Sequence, residues 1–119
     1  MHDVWGRKQG LPQNGARSVV QSRDGYIWFG TESGLVRFDG VRFTVFDTRN
    51  VPELGHNFVR CLLADRAGRL WIGSSGGGVV RLEGGRFTRY AEREGLPSEQ
   101  VSALLEDGKG RLWVGTEGG

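Results

Sequence analysis

The sequence holds one cysteine, two histidines, one methionine and three prolines in 119 residues. A single cysteine, Cys61, excludes an intrachain disulfide and fits a reducing or an oxidising compartment equally well. His2 and His56, with that one thiol, match no recognised zinc spacing, so no metal site and no cofactor is expected. No apolar run reaches the roughly 18 residues that suggest a membrane span. The opening stretch "MHDVWGRKQG" lacks the apolar core of a secretory signal, so no signal peptide is read in this chain. Neither sign of charge dominates: 16 basic residues face 14 acidic ones, for a net charge of +2. Fourteen of the basic residues are arginine, and they lie beside acids along the whole chain rather than on one stripe. They read as solvated strand faces and turn flanks, so neither nucleic acid nor direct membrane contact is expected. A sustained helical period is missing as well.

What is abundant is glycine, 21 residues of it, with four tryptophans. Glycine at that level points to many tight turns. Both residue types recur in order. "GYIWFGTESGL" at 25–35 returns as "GRLWIGSSGGG" at 68–78 with its Trp-X-Gly intact, and again as "GRLWVGTEGG" at 110–119. Trp28, Trp71 and Trp113 stand 43 and 42 residues apart, and "VRFDGVRFTVF" (36–46) matches "VRLEGGRFTRY" (80–90). A repeat in the low forties is the blade length of a β-propeller, in which four antiparallel strands make one blade.

Each unit reads as four strands. Strand A is "ARSVVQS", "VRCLLAD" or "VSALLED"; strand B is "YIWFG", "RLWIG" or "RLWVG"; strand C is "LVRF" or "VVRL"; strand D is "RFTVF" or "RFTRY". X-Gly pairs at 24–25, 67–68 and 109–110 predict tight A–B hairpins, and those at 39–40 and 83–84 predict C–D hairpins, with mirror-image turns. Within strand B, Trp28 and Gly30 share one face, and Ile27 and Phe29 the other. Both faces are apolar, which a sheet sandwiched between neighbours satisfies. Trp28, Trp71 and Trp113 are therefore expected as structural wedges. Gly30, Gly73 and Gly115 are expected to leave room for an adjoining chain. Ser18, Cys61 and Ala103 are the matching small residues of strand A, and Cys61 reads as core rather than as a reactive thiol.

The expected fold is all-β, with about two and a half blades of an incomplete ring. Residues 1–9 read as the end of a preceding outer strand and its connection, 10–50 as one blade, 51–94 as a second, and 95–119 as the first two strands of a third. A closed ring needs at least about four blades. The expected partners are thus the remaining blades of the same propeller, from the same chain or from other chains; a piece of a longer protein is the reading preferred.

Chemical motifs are few. "GSSGG" (73–77) has the form of a nucleophile elbow, but a strand-to-strand loop lacks the helix that motif requires. Gly76-Gly77-Gly78 precedes no helix and fits no phosphate loop. The Asp-Gly turns lack the alternating acids of a calcium loop. Glu106 and Asp107 read as turn charge rather than as an acid–base pair. No catalytic residue is expected. Because strands alternate in direction, the longer B–C and D–A loops share one end of the sheets, where a rigid scaffold presents function. Gln13, Asn14, Arg17, Glu32, His56, Asn57, Arg60, Ser75 and Gln100 are the candidate ligand-binding residues at that end.

The units "GLPQNGARSVVQSRDGYIWFGTESGLVRFDGVRFTVF" and "GLPSEQVSALLEDGKGRLWVGTEGG" resemble the repeat of the two-component regulator propeller family. The shared features are Gly-Leu-Pro before strand A, the turn glycine, Trp-X-Gly-Thr in strand B and Gly-Leu-X-Arg-Phe in strand C. The second unit departs from the pattern, with "ELGHN" in place of Gly-Leu-Pro. The resemblance implies an extracytoplasmic or periplasmic sensor region, followed in such receptors by an immunoglobulin-like domain, a membrane helix and a histidine kinase, diguanylate cyclase or DNA-binding output. It implies a non-enzymatic ligand sensor, with an oligosaccharide or other small molecule as ligand. The alternatives are a streptogramin-lyase-like enzymatic propeller, which also uses Gly-X-Ile-Trp strands, and a protein-binding propeller scaffold.

Overall fold

The computed structural model describes residues 16–117, which form ten strands and two short 3-10 turns. The strands are β1 (Ala16–Gln21), β2 (Ile27–Thr31), β3 (Gly34–Phe38), β4 (Phe43–Phe46), β5 (Val59–Ala64), β6 (Leu70–Ser74), β7 (Val79–Glu83), β8 (Arg86–Tyr90), β9 (Val101–Glu106) and β10 (Leu112–Thr116). They pair antiparallel into two four-stranded sheets, β1-β2-β3-β4 and β5-β6-β7-β8, and one two-stranded sheet, β9-β10. The expected strand order A-B-C-D is therefore the observed one, with boundaries within a residue or so of those read from the sequence.

The A–B hairpins differ from the expected turn type. No non-glycine residue has a positive φ among the described residues. A mirror-image turn with two positive-φ central residues is thus absent at 24–25, 67–68 and 109–110. Instead, the N–H of Gly68 donates to the carbonyl of Asp65 at 3.2 Å, and Gly68 alone takes φ +88°. The loop is one residue longer than the Ala-Gly pair implied, and the glycine closes it.

Side-chain carboxylates brace these turns. Asp65 accepts from the N–H groups of Ala67 and Arg69, from Arg69 Nε and from Trp71 Nε1, the last two at 2.8 Å. Asp107 repeats the arrangement with Lys109, Arg111 and Trp113. The first sheet uses Ser22 instead, whose hydroxyl accepts from Trp28 Nε1 at 2.9 Å and donates to Asp24. Trp28, Trp71 and Trp113 are thus each clipped to their own A–B turn by the residue six positions earlier.

The first two sheets stack face to face. Trp28, Leu35 and Phe46 from one meet Leu62, Leu70, Ile72 and Val80 from the next. Leu35, Ile72 and Val80 are fully buried, each worth about 1.5–3 kcal/mol of transfer free energy. Leu54, from "ELG" in the second unit, is also fully buried in this layer, so the departure from Gly-Leu-Pro keeps its apolar plug. On the other face of the first sheet, Phe29 and Val36 are buried among Ile27, Phe38 and Phe43.

The glycines of strand B are contact points between sheets. A Cβ on Gly30 would lie 2.7 Å from Val59 Cγ1, and one on Gly73 would lie 2.6 Å from Val101 Cγ1. The first residues of β5 and β9 thus seat on the strand-B glycine of the preceding sheet. Within a sheet the same glycines pair with Ser18, Cys61 and Ala103, as expected. Burial falls along the series: Trp28 is 4% exposed, Trp71 is half-buried, and Trp113 is 56% exposed, with no further sheet beyond it among the described residues.

Candidate functional site

Each strand A among the described residues, β1, β5 and β9, carries one irregularity at the same position. Pairing of β1 with β2 jumps from Ala16 to Ser18, and pairing of β5 with β6 jumps from Val59 to Cys61. On β9, Val101 and Ala103 pair with successive residues of β10. The residues passed over are Arg17, Arg60 and Ser102, equivalent in the repeat. Two residues therefore oppose one, a β-bulge, which bends the strand and re-aims the extra side chain.

The three bulge residues converge on one cavity of about 410 Å³, lined by Arg17, Phe58, Arg60, Ser75 and Ser102. It lies at the end of the sheets that carries the B–C and D–A loops. The Arg17 guanidinium sits 5.3 Å from the centre of the Phe58 ring, a cation–aromatic contact across the first two sheets. Arg17 also pairs with Glu32 of its own sheet. Arg60 would find the equivalent acid at position 75, but that residue is serine. It reaches instead to Glu117 of the next sheet, at 2.8 Å. Ser102 Oγ donates to the Gly115 carbonyl at 3.3 Å. These ion pairs are partly exposed, so each contributes at most about 1 kcal/mol and serves chiefly to hold the arginines in place.

The surrounding loops are tied by backbone bonds. The Ser75 N–H donates to Phe58 O, Gly76 and Gly78 donate to Glu99 O, and Glu117 donates to Gln100 O, all at 2.8–3.0 Å. The predicted residues therefore divide into two groups. Arg17, Arg60 and Ser75 line the cavity, and Glu32 stands behind Arg17. His56, Asn57 and Gln100 hold the loops: His56 Nδ1 accepts from the Phe58 N–H at 3.1 Å, and Asn57 Oδ1 from the Thr48 N–H at 2.8 Å. Gln100 contributes its backbone, bridging to Ser75 and Glu117. Gln13 and Asn14 lie outside the described residues, as do residues 1–9, read as the end of a preceding outer strand and its connection, and the first Gly-Leu-Pro.

Sequence reasoning missed Phe58, Ser102 and Glu117. The repeat alignment contained the signal for two of them. Ser102 is the third member of the series Arg17–Arg60, and Glu117 the third of the series Glu32–Ser75. Phe58 aligns with Gly15 and Gln100 and carries no such signal.

The cavity offers guanidinium N–H donors, two hydroxyls and one aromatic face. No group of histidine, cysteine and carboxylate side chains is placed to hold a metal among the described residues. Cys61, next to Arg60, is no nucleophile at neutral pH, because burial pushes its thiol up to about 11. Asp65 and Asp107 are at the opposite end. Burial pushes Asp65 up, but the Trp71 indole and the Arg69 donors outweigh it and hold the carboxyl below the usual range. The Trp113 indole, followed by the Arg111 N–H, holds Asp107 well below that range. Both stay ionised and engaged in turns.

Three regions of the chain, 10–33, 53–76 and 95–118, match the two component regulator propeller family. Each runs from the residues before strand A to the loop after strand B, and so contains one bulge and one tryptophan clip. Comparison with curated proteins gives no match. Among solved structures, the chain is similar to the extracellular domain assigned to a hybrid two component system from B. thetaiotaomicron. The TM-score is 0.81 and the identity 27%, over 94% of this chain and 17% of that one. A second such domain from the same organism gives 0.71 at 24% identity, over 87% of this chain and 15% of that one. Virginiamycin B lyase from Staphylococcus aureus gives 0.64 at 18% identity, over 87% and 35%. The last two bear on the fold alone. This chain thus spans under a fifth of the length of the two receptor domains. With the matched regions covering more than half of its residues, and each containing the first two strands of one sheet, the chain belongs to the two component regulator propeller family.

Proposed function

We propose that this chain is part of the ligand-sensing propeller of a bacterial two-component-type receptor, outside the cytoplasmic membrane, and that it binds its ligand without transforming it. The observation that carries the reading is the bulge cluster. Three equivalent positions on three sheets aim Arg17, Arg60 and Ser102 into one cavity. A bulge repeated at a cavity mouth is a device for placing side chains, and packing alone does not require it. The similarity to extracellular domains of hybrid two component systems supports the location.

The ligand class the cavity suits is carbohydrate. Guanidinium and hydroxyl groups match sugar hydroxyls, and the Phe58 ring suits the flat face of a pyranose. A ligand that spans Arg17, Arg60 and Ser102 touches three blades at once. It favours whichever blade arrangement lets all three reach, and so shifts an equilibrium. A lyase-like reading asks for a histidine paired with an acid at the cavity. His56 instead has its Nδ1 occupied by the Phe58 N–H.

The test is a thermal-shift and glycan-array screen on the chain, with Arg60→Ala and Phe58→Ala alongside. The expected result is saturable binding of a subset of oligosaccharides, weakened about tenfold or more by either substitution. Failure of every saccharide, together with turnover of some substrate, would overturn the reading.

A further inference from the structure

A second cavity, of about 360 Å³, opens between the first two sheets at the end that carries the A–B and C–D turns, away from the bulge cluster. Its walls are Tyr26, Trp28 and Phe46 from one sheet and Leu70, Leu82 and Phe87 from the next. Arg37 stands among these apolar groups. Its guanidinium carbon lies 4.8, 5.9 and 5.5 Å from the ring centres of Tyr26, Trp28 and Phe46. Its Nε is buried and, like that of Arg81 in the next repeat, has no hydrogen-bond partner.

Comparison with the next repeat shows what is missing. Arg81 is the equivalent residue, and it sits 3.7 Å from Glu83. The acid equivalent to Glu83 is Asp39, one methylene shorter. Asp39 turns into its own hairpin and accepts from the N–H groups of Val41 and Arg42, both at 2.9 Å. Arg37 is left with no carboxylate at ion-pair distance among the described residues. Half-buried Arg37 keeps only the longer-range field of Asp39 and the three ring faces, and a carboxylate supplied from outside would add the charge-assisted hydrogen bonds it lacks.

We propose that this inter-blade cleft is a second ligand site, for a small monocarboxylate with an aromatic or branched apolar body. The carboxylate would face the Arg37 guanidinium, and the body would lie against Leu70, Leu82 and Phe87. Asp24 stands at the rim, hydrogen-bonded by the Ser22 hydroxyl. It disfavours a second negative charge on the ligand, and a strongly hydrated dianion such as phosphate would lose too much solvation among the rings. Because the ligand would bridge two sheets, its occupancy would bear on the blade packing on which the first cavity depends.

The test uses the 119-residue chain, with phenylacetate as probe, phenylacetamide as its uncharged counterpart and acetate as its bodiless one. Binding is read from calorimetry and from the Trp28 indole N–H resonance. Phenylacetate is expected to give a saturable shift at millimolar concentration, phenylacetamide to bind at least tenfold more weakly, and acetate to leave the resonance in place. Asp39→Glu installs the acid found in the next repeat and is expected to weaken phenylacetate about tenfold, read at a temperature where the variant is folded, since it also gives up the hairpin bonds of Asp39. Arg37→Gln is expected to abolish binding, while Arg60→Ala, at the other cavity, leaves it unchanged. Equal binding of the acid and the amide, an unmoved Trp28 signal, or an unaffected Asp39→Glu variant would overturn the proposal, whether or not Arg37→Gln folds.

Discussion

Gly73→Ala adds one methyl group at the seam between two blades. That carbon would lie 2.5 Å from Cys61 Sγ and 2.6 Å from Val101 Cγ1, with Val101 Cβ at 3.2 Å. Distances below 3 Å cannot stand, so something must move. Neither neighbour is the loose end of a long side chain: Val101 is fully buried, and Cys61 lies within the same sheet. Gly73 has no positive φ, so the backbone itself accepts alanine. Two rigid overlaps place the cost near the top of the overpacking range, about 2–3 kcal/mol. In a domain of this size that is a fall of roughly 10 °C in melting temperature. Gly115→Ala is the control, because its Cβ would meet Ala103 at an ordinary 3.4 Å. It should stay within about 0.5 kcal/mol of the parent. Val101→Ala removes one overlapping atom, so in the Gly73→Ala background it should cost at least about 1 kcal/mol less than it does alone. Urea melts of the parent and the four variants measure all of this. A Gly73→Ala protein as stable as the parent, or strict additivity with Val101→Ala, would refute the seam.

Asp65→Asn keeps the shape of the turn but removes the charge facing Arg69 and Trp71, and should cost about 2 kcal/mol in urea. Asp65 and Asp107 have carboxyls held below their ordinary value, so their stabilisation is fully present above the unfolded pKa of about 3.9 and is lost as pH falls through the lower folded values. The denaturation midpoint should thus be flat from about pH 6 to 8 and fall below about pH 4, less steeply in Asp65→Asn. The Cys61 thiol, raised to about 11 by burial, should react with a disulfide reagent at pH 8 at least about a hundredfold more slowly than free cysteine, until urea unfolds the chain.

Much of the fold is legible from Trp28, Trp71 and Trp113 because sheet stacking imposes a period on the sequence itself. A tryptophan and a glycine two residues apart fall on one face, and only a neighbouring sheet explains why both are needed. The turn types were less legible. An X-Gly pair marks a hairpin, but whether the loop has two residues or more depends on the preceding polar side chain; Asp107 read as plain turn charge and Asp65 as the end of a strand. Three of the five lining residues of the cavity were legible, since Arg17, Arg60 and Ser75 follow from their place at the loop end of the sheets. Phe58 was not, because it precedes strand A at a position where the other units carry Gly15 and Gln100, so the repeat does not mark it. His56 and Asn57 looked equally suited to a ligand. Only the hydrogen bonds to Phe58 and Thr48 show them bracing the loop.

The seating of Val59 on Gly30 and of Val101 on Gly73 is the contact from which the stacking, the bulges and both cavities follow. Proton–proton Overhauser spectra of the chain read it directly. Strong cross-peaks are expected from the Val59 methyls to Gly30 Hα and from the Val101 methyls to Gly73 Hα, protons held within about 3–4 Å by such packing. Intact strand pairing within each sheet, with both pairs of cross-peaks missing, would contradict the account.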